Sequence, residues 1–274
     1  MTRGIRLVAT DLDGTLLRGD GTVSDRTRAA IKAATAAGLV VAFVTGRPPR
    51  WLDDVIEQTD HVGLAVGANG AVLYDMSDQR LLSVHTLDPA LMIELGDELR
   101  AAFPDVGFAV EYGDGFAAEA GYTHDWDINP RLDRHGNPIP APRIAPLADI
   151  ATAPALKLLA KDRSADPDDF LASATRVIGT RASITHSSSY GLLEIARRGV
   201  TKASGLAELA GIFGIAQHEV AAIGDMPNDV PMLEWAGESY AVANGHPATK
   251  AVADAVVASN EDDAVAELIE GLLA

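Results

Sequence analysis

The sequence contains no cysteine. Structural disulfides, thiolate zinc sites, iron–sulfur clusters and cysteine nucleophiles are therefore excluded. Basic residues are scarce beside acidic ones, 22 Lys and Arg against 39 Asp and Glu, which leaves a formal net charge of -17. Nucleic acid and anionic membrane surfaces both demand clustered Lys and Arg, so neither is expected as a partner. No apolar run approaches the length of a membrane span. The N-terminus lacks a charged segment followed by an apolar secretion core, and the cytoplasm is the expected compartment. A P-loop of the form GxxxxGKS/T is also missing, which removes one common way of holding phosphate.

What is present is a chain of 274 residues, long enough for one large domain or two modest ones around packed cores. Short apolar runs alternate with helical segments at both ends. "IRLVAT" is strand-like, and "SDRTRAAIKAATAAG" is a helix with Ser24 as its N-cap and Gly38 as its stop. "LVVAFVTGR" is too continuously apolar for a half-exposed strand and is expected to be covered on both faces. "WLDDVIEQT" follows as a helix, then a strand and a hairpin turning at Asn69-Gly70. "TKASGLAELAGIFG", "EVAAIGD", "VPMLEWAG", "SYAVANG" and "DAVAELIEGLLA" repeat the rhythm near the C-terminus. The pattern predicts an α/β fold: a doubly wound, mainly parallel, Rossmann-like sheet formed by residues 1–83 and 190–274. Residues 84–189 read instead as helices with intervening hairpins, an inserted α+β domain.

In open α/β sheets, chemistry collects beyond the carboxyl ends of the parallel strands. Three such ends carry polar groups: Asp11-Leu12-Asp13-Gly14-Thr15, Thr45-Gly46-Arg47, and Gly224-Asp225-Met226-Pro227-Asn228-Asp229. Alternation along a strand lets Asp11 and Asp13 face one way while Leu12 turns to the core. Gly14 permits the sharp turn out of the sheet. Converging carboxylates repel unless a cation or a shared proton separates them, and an all-oxygen set that includes Asp225 suits Mg²⁺. A phosphate beside such a metal also wants donors and cations. Thr45, Gly46, Arg47 and Lys202, the last at a helix start, are placed to supply them.

These residues carry a resemblance. "DLDGTL" at 11–16, "VTGR" at 44–47, Lys202 in "GVTKASGL" and "IGDMPND" at 223–229 stand in the order of the four motifs of the haloacid dehalogenase (HAD) superfamily. With "GANGA" at 67–71, "LLEIARRGVTK" at 192–202 and an insertion between the second and third motifs, the chain resembles the Cof-like phosphatases with a type IIB cap. The resemblance implies a Mg²⁺-dependent phosphoric monoester hydrolase acting on a small phosphorylated metabolite, with a sugar phosphate as one candidate. Asp11 would be the nucleophile that forms an aspartyl-phosphate and a metal ligand. Asp13 would protonate the leaving alcohol, activate the hydrolytic water and present its backbone carbonyl to the metal. Asp225 would be a metal ligand and Asp229 a support for the metal's water shell. Thr45, Gly46, Lys202 and Asn228, with the backbone at Leu12, would hold the phosphoryl oxygens.

Other readings of these residues stay open. Arg47 either pairs with a helix carboxylate or reaches substrate. Asn69 is first a turn residue and second a substrate contact. The histidines show no metal-binding spacing, and "THDWDINPRLDRHG" at 123–136 reads as a surface loop. Within the insertion, "EYGDGF", Arg181 and "THSSSY" are candidate substrate contacts, because hairpin tips and polar strands could face a cleft. A phosphomutase, a phosphorylatable receiver module and a non-catalytic phosphometabolite-binding protein are the rivals. The insertion does not fit a receiver, and two intact aspartates do not favour a mere binder.

Overall fold

The β-branched run at the N-terminus forms β1 (Leu7–Thr10), every residue of which is buried. In the computed structural model, which describes residues 4–122 and 142–274, the chain then runs through α1 (Asp25–Ala36), β2 (Val40–Val44), α2 (Asp53–Thr59), β3 (Leu64–Gly67), β4 (Val72–Asp75) and β5 (Arg80–Val84). Next come α3 (Pro89–Ala102), β6 (Gly107–Glu111), β7 (Phe116–Ala118), β8 (Arg143–Ile144), α4 (Leu147–Ile150), β9 (Lys157–Lys161), α5 (Pro167–Ile178), β10 (Ala182–Thr185) and β11 (Leu192–Arg197). The last stretch is α6 (Lys202–Ile212), β12 (Val220–Gly224), α7 (Val230–Trp235), β13 (Glu238–Val242), α8 (Pro247–Val252), β14 (Ala255–Val257) and α9 (Ala264–Leu273).

Two compact units result, residues 1–84 with 200–274 and residues 85–199. The first holds an eight-stranded sheet in the order β14-β13-β12-β1-β2-β3-β4-β5. Its strands are parallel from β14 to β3, and β4 and β5 are added antiparallel. Helices α6 and α7 bury Leu206, Leu209, Met232 and Leu233 against Leu7, Ala9, Val44 and Ala222 on one face. Val8, Val41 and Phe43, which alternate with these, serve the other face, where α1 packs beside β2, α2 and α9. Ser24 caps α1 through Thr27, and Gly38 follows the helix at φ 86°, as the sequence predicts.

The second unit is a six-stranded sheet, β10-β11-β9-β6-β7-β8, antiparallel except for β7 beside β8. Leu95 and Leu99 of α3 and Phe170, Ala174 and Ile178 of α5 cover Phe108, Val110, Leu158 and Ile195 on one face. The unit extends further than the sequence boundary at 189, because β11 pairs with both β9 and β10 and cannot belong elsewhere. Strands β5 and β14 have no counterpart in the sequence reading. Both are largely exposed edge strands, without the buried apolar run that marks the interior ones. The loop at 123–136 lies outside the described residues. Among the described residues no helix is long and apolar enough to cross a membrane.

Candidate active site

The sheet order makes the site. From β1 the chain goes to β2 on one side, and β12 later returns on the other, so the strand order reverses at β1. The crevice beyond the carboxyl ends of β1, β2 and β12 is the point where such sheets bind ligands. Asp11, Thr45 and Asp225 are each the first residue after one of these strands.

Gly14 has φ 81°, and a Cβ there would lie 2.3 Å from Asp225 Oδ2. The chain thus leaves β1 against the Asp225 carboxylate, at a point that only glycine fits. Thr15 Oγ1 donates to Asp225 Oδ1 at 3.2 Å, and the Asp225 carbonyl accepts from Thr249 Oγ1 at 3.0 Å. Lys202 opens α6 behind the capping box of Thr201 and Ser204 and is fully buried. Its Nζ donates to Asp11 Oδ1 at 2.5 Å and to Asp229 Oδ1 at 2.6 Å. The other oxygen of Asp229 accepts from the backbone N–H groups of Asp225 and Met226, both at 3.0 Å.

Asp11, Asp225 and Asp229 are all buried, and each offers a carboxylate oxygen within 4.8 Å of the others. Burial pushes the Asp11 carboxyl well above the ordinary carboxylate range; Lys202 opposes this, and Asp229, Asp225 and Asp13 reinforce it. Burial, with Asp229 beside it, pushes Asp225 up to about 7. Burial also works against the Lys202 ammonium, but Asp11 and Asp229 together outweigh it and raise its pKa. One ammonium stands among three buried carboxylates. Their negative excess and hard oxygen donors fit a divalent cation better than any side chain present.

Asp13 lies apart from this cluster. Its carboxylate is over half exposed and is held by Arg47, with Nε to Oδ2 at 2.8 Å and Nη2 to Oδ1 at 2.5 Å. Arg47 therefore pairs with a carboxylate of the first motif rather than with one from a helix. Thr45 is buried, and its Oγ1 accepts from the Arg47 N–H at 3.1 Å. Asn228 is buried, and its Nδ2 donates to Asn69 Oδ1 at 3.1 Å.

Asn69 belongs to the turn between β3 and β4, where Ala68, Asn69 and Gly70 have φ of 50°, 57° and 99°. A left-handed alanine costs about 1–2 kcal/mol. The neighbours hold the turn in place: Ala68 N donates to the Arg47 carbonyl at 2.9 Å and Asn69 N to the Thr45 carbonyl at 2.9 Å. Asn69 thus stands nearer the site than its sequence reading as a turn residue places it. Its signal was available, since asparagine before glycine is the pair that tolerates consecutive positive φ.

The remaining candidates have partners within their own units. Arg181 binds Glu94 and Glu98 of α3 and the last carbonyls of α5. "EYGDGF" forms the turn between β6 and β7, with Gly113 at φ 101°. His186 in "THSSSY" is buried, with Nε2 2.9 Å from Asp168 Oδ1 and Nδ1 3.2 Å from the Ser188 carbonyl. His61 Nε2 lies 2.9 Å from the Val41 carbonyl.

Comparison with known proteins gives the family and the fold. The family model for haloacid dehalogenase-like hydrolases matches residues 8–269. The chain is 27% identical over 274 residues to the 5-amino-6-(5-phospho-D-ribitylamino)uracil phosphatase YitU of Bacillus subtilis (strain 168), covering 96% of each. It is 27% identical over 293 residues to phosphatase YwpJ of the same organism, covering 98% of this chain and all of the relative. Among solved structures, SMU.1108c from Streptococcus mutans UA159 superposes with a TM-score of 0.83 at 20% identity, over 98% of this chain and 99% of that one. A sugar phosphatase of HAD subclass IIB superposes with a TM-score of 0.80 at 18% identity, over 97% and 99%. Both structures share the fold.

Proposed function

The chain belongs to the haloacid dehalogenase-like hydrolases and is a phosphatase; from that premise we propose that it is Mg²⁺-dependent, that it works through an aspartyl-phosphate on Asp11, and that its substrate is a small sugar-phosphate-like metabolite. The observation that carries this reading is the buried cluster of Asp11, Asp225 and Asp229 around Lys202 at the switch point of the sheet. Asp11, Asp225 and the Asp13 carbonyl would hold the metal, with Asp229 fixing Lys202 and the backbone at 225–226. Bound there, Mg²⁺ would neutralise charge on the nucleophile and on the phosphoryl oxygens.

The chain's own groups divide the rest. An oxygen of Asp11 attacks phosphorus, the bond from phosphorus to the leaving oxygen breaks, and Asp13 delivers a proton to that oxygen. Asp13 then takes a proton from water as the water attacks the phosphoryl group, which releases orthophosphate and restores the Asp11 carboxylate. Splitting the hydrolysis in this way replaces one difficult displacement with two easier ones. Arg47 acts here as the residue that orients Asp13, and each Asp13 oxygen keeps a lone pair for the proton. Lys202 uses two of its three N–H bonds on Asp11 and Asp229 and has the third for a phosphoryl oxygen. The Thr45 hydroxyl, whose oxygen accepts from Arg47 N, donates its proton to another. Gly46, Asn228 and the Leu12 backbone complete the cradle.

A sugar or polyol phosphate is favoured because two similar proteins act on such compounds, one a phosphoribityl compound and one a sugar phosphate. We assign choice of the leaving group to residues 85–199, a cap on this reading, since none of the four motifs falls there. The test is phosphate release from a panel of phosphorylated metabolites with Mg²⁺, with EDTA, and with Asp11→Asn. Release that needs Mg²⁺ and falls by at least about 10⁴-fold in the variant is expected. No release by folded, Mg²⁺-loaded protein would transfer the site to a mutase or a binding protein.

A further inference from the structure

The turn at 67–71 plays no direct part in the chemistry above, yet three of the four motifs touch it. The second motif gives its Thr45 and Arg47 carbonyls to the N–H groups of Asn69 and Ala68. The third packs on Gly70, where a Cβ would lie 2.0 Å from the carbonyl oxygen of Thr201, the cap of the helix that carries Lys202. The fourth reaches it through the bond from Asn228 Nδ2 to Asn69 Oδ1 at 3.1 Å. Asn69 is 4% exposed and Asn228 5% exposed, so this last bond lies out of reach of competing water.

Asn228 is the informative partner. Its Oδ1 is buried and has no hydrogen-bond partner. With its oxygen unpartnered, the carboxamide is oriented through its nitrogen alone. The amide can rotate about its last torsion, which exchanges its oxygen and nitrogen positions. An acceptor is what selects one of the two orientations, because only the nitrogen can donate to it. Asn69 Oδ1 is that acceptor.

We propose that Asn69 is a positioning residue for phosphoryl binding: its carboxamide oxygen takes one N–H of Asn228 and thereby presents the second N–H to a phosphoryl oxygen. The proposal rests on the phosphatase reading and adds to it a residue outside the four motifs. It also accounts for the strained turn. The left-handed backbone at 68–70 holds the Asn69 oxygen opposite Asn228, and asparagine is the residue that combines such a backbone with an amide acceptor.

The test is a double-mutant cycle read by calorimetric titration of the Mg²⁺-loaded protein with orthophosphate, alongside kcat and KM. Asn69→Gly removes the carboxamide and accepts φ 57° without strain, so the turn survives. Asn69→Asp keeps an oxygen acceptor and also tolerates that backbone. The expected result is that Asn69→Gly weakens orthophosphate binding by about tenfold, the scale of one lost hydrogen bond. In an Asn228→Ala background the same change has no further effect, and Asn69→Asp recovers binding only where Asn228 is intact. Equal losses in both backgrounds would overturn the proposal, because Asn69 would then act on the fold or on phosphate by itself. Orthophosphate binding without turnover would sink the phosphatase reading while the cycle still decides the role of Asn69. Absence of orthophosphate binding in the wild type would overturn both.

Discussion

Arg181 and Lys202 each sit between two carboxylates, and the contrast between them separates a structural ion pair from a functional one. Arg181 joins Glu94 and Glu98 at the rim of the second unit, with a third of its own side chain exposed and about half of each partner's. Its guanidinium also donates to the carbonyls of Val177 and Ile178, so it ties the end of α5 to α3. Water and salt screen such a group, and its contribution is correspondingly small. Lys202 and Asp229 are fully buried, and a third carboxylate, Asp225, shares their space. Charges removed from water without compensation are costly, and a fold keeps them where a ligand supplies what is missing. Burial combined with imbalance marks the site.

The comparison breaks most visibly at Lys202. Replacing it, as Lys202→Met, leaves three buried carboxylates with no cation and is expected to destabilise the metal-free protein by about 3–5 kcal/mol at pH 8. Urea denaturation measures this. The deficit should shrink towards pH 5, because burial favours the protonated forms of Asp11 and Asp225. A variant as stable as wild type at pH 8 would show that the cluster is not the strained element inferred here.

Asp225 sharpens the contrast from the other side. Its folded pKa of about 7 lies above its ordinary 3.8, so the folded protein binds this proton more tightly than the unfolded chain. Stability from this group is therefore fully present below the lower value, falls as pH rises towards 7, and then levels off. In EDTA, Asp225→Asn is expected to melt above wild type at pH 8, with an advantage that vanishes by pH 4. Added Mg²⁺ should raise the Tm of wild type and leave the variant nearly unmoved. Thermal melts across pH, with and without metal, check both statements. The smallest effect is expected at Arg181: Arg181→Met should change Tm little, insensitively to Mg²⁺, with kcat/KM unaltered.

Much of this site was legible as strings. "DLDGT", "VTGR" and "IGDMPND" end apolar runs, and a strand end followed by glycine or a polar turn is readable because side-chain alternation and backbone freedom are local properties. Lys202 was readable only in company with these motifs, since a lysine at a helix start is ordinarily solvated. The pairing of Arg47 with Asp13 was not legible, because 34 residues of chain separate the two and nothing local specifies which carboxylate a guanidinium meets. Nor was the direct bond of Asp229 to Lys202. In the insertion, helices and hairpins were readable from period and turn residues. Its far boundary, drawn at 189, falls within the β10–β11 hairpin, whereas the compact unit runs to 199.

The sequence by itself determined the alternation of strands and helices, the positions where the chain must turn, and the order of the acidic and basic residues along it. It also settled the exclusions, since a chain without cysteine has no thiol chemistry to offer. Tertiary structure alone decided which of those charges are buried together. Burial and proximity are set by strand order, and the return of β12 beside β1 brings Asp225 and Asp229 to Asp11 across more than 200 residues of chain. The energy of a charge depends on its surroundings far more than on its neighbours in sequence. That is why Lys202 and Arg181, alike as cations between carboxylates, serve different ends.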